Sequence, residues 1–417
     1  MSSFIELFIG LPLDVNMLHL VLKNDQQLPV FKESIMSDKQ QGYEYKARQV
    51  EDMSDRAFRF GDGKISGYLS CGLGVFSFLA VLCYLFPSYL TTTDLRAAYD
   101  GETLKLVLMA GIWASLGFAL LTFALGRHRR LGAIGVVFAA IALFLGGYNV
   151  PVGSVEPSPL SLGLDWLILS LIASVILFIF LEKIFPKYKD QAILRPEWEL
   201  DFGYFCFNHL LIAILLLVGN YFVSSVFGWA ANSGLQAWLQ SLPILIQVLM
   251  IVLCADFVLY WSHRLFHEVP RLWPFHAVHH SVEYMDWLAG SRNHLVQTII
   301  DRSIAMVPLY LLGPDKAALD IYVTFAALQA VIVHSNFDIR WGLLKYIIVT
   351  PQYHHWHHSS DDPAIDTNYA VHLPLYDRLF GTYHMPTEHW PEKYGTVKPL
   401  PKTFLGQLAY PFKKQEP

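Results

Sequence analysis

Six separate stretches of this sequence, at about 66–86, 105–125, 131–148, 163–182, 205–228 and 240–262, are each apolar over roughly the 20 residues that a helix needs to cross a bilayer. So many long apolar runs exceed what one water-soluble core can absorb. They predict an all-α, polytopic membrane protein, because a helix satisfies its own backbone hydrogen bonds in lipid. Only 16% of residues are charged, against about 25% in ordinary soluble domains. Two shorter apolar runs, about 299–313 and 317–334, flank Gly313-Pro314-Asp315. That turn punctuation predicts a helical hairpin that dips into the membrane and returns. A further apolar stretch, Phe4 to Leu22, is broken by Pro12 and Asp14 and reads as an interfacial or re-entrant piece.

Basic residues alternate between successive loops. Lys46, Arg48, Arg56, Arg59 and Lys64 precede the first span; Arg127, Arg129 and Arg130 follow the second; Lys183, Lys187, Lys189 and Arg195 follow the fourth. The loops at 151–165 and 228–243 carry none. By the positive-inside rule the N-terminus is cytoplasmic, and the sixth span emerges in the cytoplasm near Trp261. The expected organisation is a cytoplasmic N-terminal segment over residues 1–65, a four-helix module over 66–190 with no assignable chemistry, a chemistry-bearing domain over 191–390 and a tail over 391–417. A net charge of −5 gives no reason to expect a nucleic-acid partner, and a lipid is the better default. Cys71, Cys83, Cys206 and Cys254 all lie in apolar runs without CxxC spacing, so neither a disulfide framework nor a zinc knuckle is expected.

Chemistry is concentrated where the sixth span ends. Of 17 histidines, all but His19, His128 and His209 lie between His263 and His389. His263-Arg-Leu-Phe-His267 places two imidazoles on one helical face. His276-Ala-Val-His279-His280 offers an i, i+3 pair and a ring on the adjacent face, and His354-His355-Trp-His357-His358 repeats the HxxHH pattern. A single zinc takes three or four protein ligands, so eight clustered imidazoles imply two metals. Iron, zinc and copper all accept imidazole. Asp256 lies two helical turns before His263 within a span, where an ionisable residue is rare and usually functional. It is expected to orient an imidazole rather than to pair with Arg264 or Arg292. Asn368 and Asp377 are expected to fix the loop after the last motif, and Glu283 and Asp286 read as exposed.

From about Leu249 to Thr382 these residues resemble the sterol desaturase and fatty acid hydroxylase superfamily of membrane di-iron oxidases. The resemblance rests on Asp256-Phe-Val-Leu-Tyr-Trp-Ser-His263-Arg-Leu-Phe-His267, on the two HxxHH motifs, on Asn368-Tyr369 and on Asp377-Arg-Leu-Phe-Gly-Thr382. It implies a helical cap at the cytoplasmic face and metal ligands at His263, His267, His276, His279, His280, His354, His357 and His358. It further implies His334 as an additional ligand, His294 as a ligand or neighbour of one, and His355 as a hydrogen-bonding supporter. His372, His384 and His389 are left as solvent or lipid-interface residues. Asp256 and Asn368 complete the expected catalytic surroundings.

The same resemblance implies two ferrous ions, with zinc as a substitute in purified protein, and O₂ as co-substrate for hydroxylation, desaturation or demethylation of a lipid or sterol. No CxxCH, GxGxxG or His-Pro-Gly-Gly segment is present, so electrons are expected from a separate ferredoxin or cytochrome with an NAD(P)H-linked reductase. The implied location is a bacterial inner membrane, or the endoplasmic reticulum in a eukaryote. Substrate is expected to enter between the 205–228 and 240–262 helices and the 299–334 hairpin. A zinc hydrolase is the first rival, but its HExxH has only His267-Glu268-Val-Pro270-Arg271 as a near match. A metal transporter is the second, and it would place its ligands near the bilayer midplane rather than beyond the helix ends.

Overall fold

The computed structural model describes residues 58, 60–98, 100–154, 156, 161–386 and 389–413. The expected interfacial piece at Phe4 to Leu22 lies outside them. Among the described residues the regular structure is helical: α1 (Lys64–Leu85), α2 (Gly101–Leu125), α3 (Arg129–Phe144), α4 (Leu164–Ile184), α5 (Trp198–Phe227), α6 (Ile244–Glu268), α7 (Trp273–His280), α8 (Leu295–Leu312), α9 (Lys316–Ile332), α10 (Pro351–His357), α11 (Leu375–Phe380) and α12 (Phe404–Ala409). Shorter helical pieces at Pro87–Leu90, Thr93–Ala98 and Ser233–Gln240 lie in the connections. Six helices are long and apolar enough to cross a membrane, namely α1, α2, α3 with the turn after it, α4, α6 and α8. α5 adds a further span if its halves, 198–212 and 214–230, which meet at 51°, count together. The chain is a multi-pass membrane protein.

Local signals account for the helix boundaries. Asp100 caps α2 by accepting from the Thr103 amide at 2.9 Å, and Gly126 ends the helix with φ 76°. Helix α8 stops at Gly313, with φ 53°, immediately before Pro314. In the N-terminal part, α1 crosses α3 so closely that small residues are obligatory. A Cβ on Gly74 would sit 2.5 Å from the Gly135 carbonyl oxygen, and one on Gly135 would meet the Ser70 carbonyl group at 2.6 Å. Such small-residue contacts let membrane helices approach where lipid offers no hydrophobic driving force. Gly135→Val is therefore expected to lower the melting temperature of the detergent-solubilised protein, through overpacking worth about 1–3 kcal/mol or more. Gly117 has open space around it and serves as the matched control. Equal melting of Gly135→Val and Gly117→Val would refute this contact.

The hairpin runs alongside α6 from one end to the other. Its tip, Gly313 to Asp315, lies beside the start of α6: Gln240 Nε2 donates to the Gly313 carbonyl at 2.7 Å and Gln247 Nε2 to Asp315 at 2.8 Å. Its base lies at the other end of α6, among the histidines. The physical reason is length: α8, with 18 residues, spans about 27 Å at 1.5 Å per residue. The last turn of α4 and the first of α5 lie at that same end. Glu182 accepts from the Trp287 and Asn336 amides, and Asp201 pairs with Arg292. One buried cluster joins Cys83, Leu164, Leu167, Leu171 and Phe178 to Phe205, Trp287 and Leu288. Packing thus runs continuously across position 190, where the sequence suggests a division. All four cysteines are free thiols.

Candidate metal centre

Three short pieces of helix meet at the end of the bundle. α6 carries His263 and His267 in its final turns. α7 and α10 have only 8 and 7 residues, too few to be stable helices by themselves. Packing holds them. Ala277 and Val278 of α7 bury against Leu200, Tyr204 and Leu400, while Tyr353 and Trp356 of α10 bury against Tyr260, Tyr369 and Met385. Thr350 caps α10 by accepting from the Tyr353 amide, and Pro351 occupies its first turn. The buried faces therefore dictate which imidazoles turn inward.

Nine imidazoles come together in two groups. His263, His267, His276, His280 and His357 form one, and His279, His334, His354 and His358 form the other; within each, the potential ligand atoms all lie within 4.8 Å of one another. Each HxxHH motif is shared between the groups. On α7 the i, i+4 pair His276 and His280 enters the five-histidine group, while His279 crosses to the other. On α10 His354, together with His358 at its C-cap, enters the four-histidine group, while His357 crosses back. The expected i, i+3 pairing is thus replaced by i, i+4, because residues four apart lie almost directly above one another on a helix. His334 reaches its place because residue 290 is glycine; a Cβ there would stand 2.7 Å from the His334 ring.

The donor chemistry fits a metal. His263 Nδ1–H donates to the Tyr369 carbonyl at 2.7 Å, His357 to that of Thr367 at 2.8 Å, His279 to that of Arg292 at 3.0 Å and His334 to that of Ala330 at 2.7 Å. Each such bond places the proton on Nδ1 and leaves Nε2 as a lone-pair donor. The Nε2 atoms then face one another: His263 and His276 at 2.9 Å, His276 and His280 at 3.1 Å, His280 and His357 at 3.0 Å. In the second group His354 and His334 stand at 2.9 Å, His354 and His358 at 3.1 Å, and His279 and His334 at 3.3 Å. Converging lone pairs repel unless a cation sits between them. With metal–nitrogen bonds of about 2.0–2.1 Å, neighbouring ligand atoms fall about 3.0–3.4 Å apart, which is close to this spacing. His267 Nε2 is buried without a hydrogen-bond partner, as a nitrogen awaiting a metal would be.

Burial, reinforced by repulsion between neighbouring imidazoles, holds His276, His280, His354 and His358 well below the usual imidazole range. The same two causes lower His279 and His357. Burial brings His334 to about 4. All of these rings are neutral at pH 7, the form that binds metal.

One carboxylate touches a grouped imidazole directly, Asp366 Oδ1 lying 3.2 Å from His267 Nδ1, and others support the centre at one remove. Asp256 orients no imidazole and pairs with neither Arg264 nor Arg292. It accepts from the amides of Val371, His372 and Leu373 at 2.8–2.9 Å. Asp377 accepts from the Tyr369 and Ala370 amides and from the hydroxyls of Tyr353 and Thr382. Together they clamp segment 369–373, whose Tyr369 carbonyl holds His263. Asn368, at φ 61°, ties this loop to α10 by donating to the Tyr353 carbonyl, and it accepts from the His384 amide at 2.7 Å. Asparagine tolerates the left-handed conformation that the turn requires.

Several other histidines lie elsewhere. His294 belongs to neither group; it caps α8 through the Val296 amide, with its other nitrogen 3.1 Å from the Leu408 carbonyl. His355 also lies outside both groups, its Nδ1 2.9 Å from the Tyr394 hydroxyl, and burial pushes it down to about 3. His372 is buried rather than at an interface, 2.7 Å from Gln329 Oε1. Asp286, read as exposed, is 3% accessible and bonds Arg195 at 2.7 Å. It belongs to a buried network in which Asp201 joins Arg195 to Arg292 and Glu197 meets Arg292 at 2.9 Å. The sequence reading missed this network, and it missed Gln297 and Asp301 on α8, which reach His276. Asp301 carried the signal that singled out Asp256, an ionisable residue inside an apolar run.

A family model described as fatty acid hydroxylase matches residues 248–382, which contain every member of both histidine groups. Ornithine lipid hydroxylase OlsE of Rhizobium tropici is 34% identical over 253 residues, covering 59% of this chain and 75% of that protein. Human alkylglycerol monooxygenase is 33% identical over 145 residues, covering 35% of this chain and 32% of that protein. Rat methylsterol monooxygenase 1 is 28% identical over 213 residues, 48% of this chain and 70% of its own. No solved structure matches the chain.

Proposed function

The chain belongs to the sterol desaturase and fatty acid hydroxylase superfamily, and from that premise we propose that it is a lipid hydroxylase whose two histidine groups each hold one iron ion. The supporting observation is the set of inward-facing Nε2 atoms whose Nδ1 protons are committed to carbonyl oxygens. In this reading His263, His267, His276, His280 and His357 hold one ion, and His279, His334, His354 and His358 hold the other. When bound, the ions supply the O₂ activation needed to attack an unactivated C–H bond, which no side chain here can provide.

The protein's own part is positioning and exclusion. Carbonyl anchors fix the rings before metal arrives, so little reorganisation is left to the binding step. The clamp made by Asp256, Asp377 and Asn368 keeps those carbonyls in place. α5, α6 and the α8–α9 hairpin form the apolar approach by which a membrane lipid reaches the centre. The electron donor is a separate redox protein, and the centre faces the cytoplasm, where the basic loops lie. Within this scheme residues 191–390 carry the catalysis, and residues 66–190 serve as a membrane module packed against them.

The test is direct. Full-length protein produced in iron-supplemented cells is expected to contain about two irons per chain, as a two-metal centre requires. Membranes supplied with ¹⁸O₂ are expected to yield a lipid carrying one labelled oxygen in a hydroxyl group. Zinc-only protein that still hydrolyses a lipid, or unlabelled product, would overturn the proposal.

A further inference from the structure

The ring of His276 is held differently from those of His263 and His357. His263 and His357 rest on backbone carbonyls, which cannot turn around, whereas His276 Nδ1 lies 2.9 Å from the side-chain oxygen of Gln297. An amide side chain presents an acceptor at one end and donors at the other, and it can flip. In this structure Gln297 Nε2 donates to Asp301 at 3.1 Å, and Ser262 Oγ donates to the other oxygen of Asp301 at 2.7 Å. Gln297 and Asp301 are one turn apart on α8; Ser262 is the residue before His263 on α6.

We infer that Asp301, acting through Gln297, is a positioning residue that sets the tautomer of His276 and hence the metal affinity of the five-histidine group. The inference rests on the reading that this group holds a metal. A carboxylate can only accept, so the amide nitrogen of Gln297 must face it. The amide oxygen is then turned toward His276, whose Nδ1 carries the proton and whose Nε2 keeps the lone pair for the ion. Without the carboxylate, the flipped amide can donate to His276 Nδ1, which moves the ring proton to Nε2 and blocks the ligand position. An ionisable side chain in a membrane-crossing helix is costly, and this role accounts for its presence. A carboxylate that merely tied α8 to α6 would affect stability without favouring either ion.

The experiment titrates metal-free, full-length protein in detergent with Co²⁺, following visible absorption and heat. Asp301→Asn is expected to weaken one of the two binding events by about 10–100-fold, the usual effect of losing a partner behind a ligand, and to leave the other unchanged. The double variant D301N/Q297E moves the negative charge one turn along the helix. The amide introduced at position 301 then donates to the carboxylate introduced at position 297, whose second oxygen accepts from His276, so affinity is expected to return to near its original value. Should Asp301→Asn fail to fold, Gln297→Met keeps the contact between Asp301 and Ser262 and is expected to weaken the same single event. Unchanged binding, equal weakening of both events, or no recovery in the double variant would overturn the inference. Parent protein that binds no Co²⁺ would instead sink the metal-centre reading itself, and this inference with it.

Discussion

Replacing His279 with alanine is expected to abolish O₂-dependent lipid oxidation and to strip the four-histidine group of its ion. Only His334, His354 and His358 remain in that group, and the cavity left by the ring admits water where a nitrogen stood. Loss of a partner behind a ligand already costs about 10–100-fold in affinity or activity, so loss of the ligand itself is expected to exceed that range. The matched control is His355→Ala. His355 is as deeply buried and sits in the sequence between two grouped histidines, His354 and His357, yet it bonds Tyr394 and enters neither group. Metal analysis and oxygen-uptake assays on the two variants read the difference. A His279→Ala protein that retains full iron and activity would remove the second ion from the scheme.

Asp201→Ala is expected to have the largest effect on stability. Asp201 is fully buried and shared by two guanidiniums: after its removal Arg195 keeps Asp286, and Arg292 keeps Glu197. Removing this shared acceptor leaves each guanidinium one carboxylate in place of two, and every buried N–H group stripped of its partner costs about 1–3 kcal/mol or more. Damage is also expected at the centre, because the Arg292 carbonyl accepts the Nδ1 proton of His279. Thermal melting in detergent, with metal content measured alongside, is therefore expected to show early unfolding together with metal loss. Lys316→Ala removes an exposed partner of Asp320 and is expected to shift stability by no more than about 0.5 kcal/mol. Equal melting of the two variants would show that the network adds nothing.

Much of the architecture is legible in the linear sequence. Apolar runs of bilayer length located the membrane helices to within a few residues, except that α5 begins at Trp198 and α6 continues to Glu268. Both extensions carry polar or charged residues, which hydropathy discounts and the end of the bundle accommodates. The three histidine motifs pointed to a two-ion centre because eight donors exceed what one ion takes. His334 was the hardest of the nine to read, for it stands alone in the chain and depends on the clearance at Gly290.

Periodicity and ligand chemistry, both local properties of the chain, determined that this protein is helical, crosses a membrane and gathers imidazoles at one end. The division of those imidazoles into two groups was decided by tertiary structure. α7 and α10 face each other across the centre, so adjacent histidines on either helix enter different groups. The duties of the carboxylates were decided there too. Asp256 clamps a loop 115 residues further along the chain, while Asp301 reaches His276 through Gln297. A side chain's charge is written in the sequence, whereas its partner depends on which distant backbone the fold brings within about 3 Å.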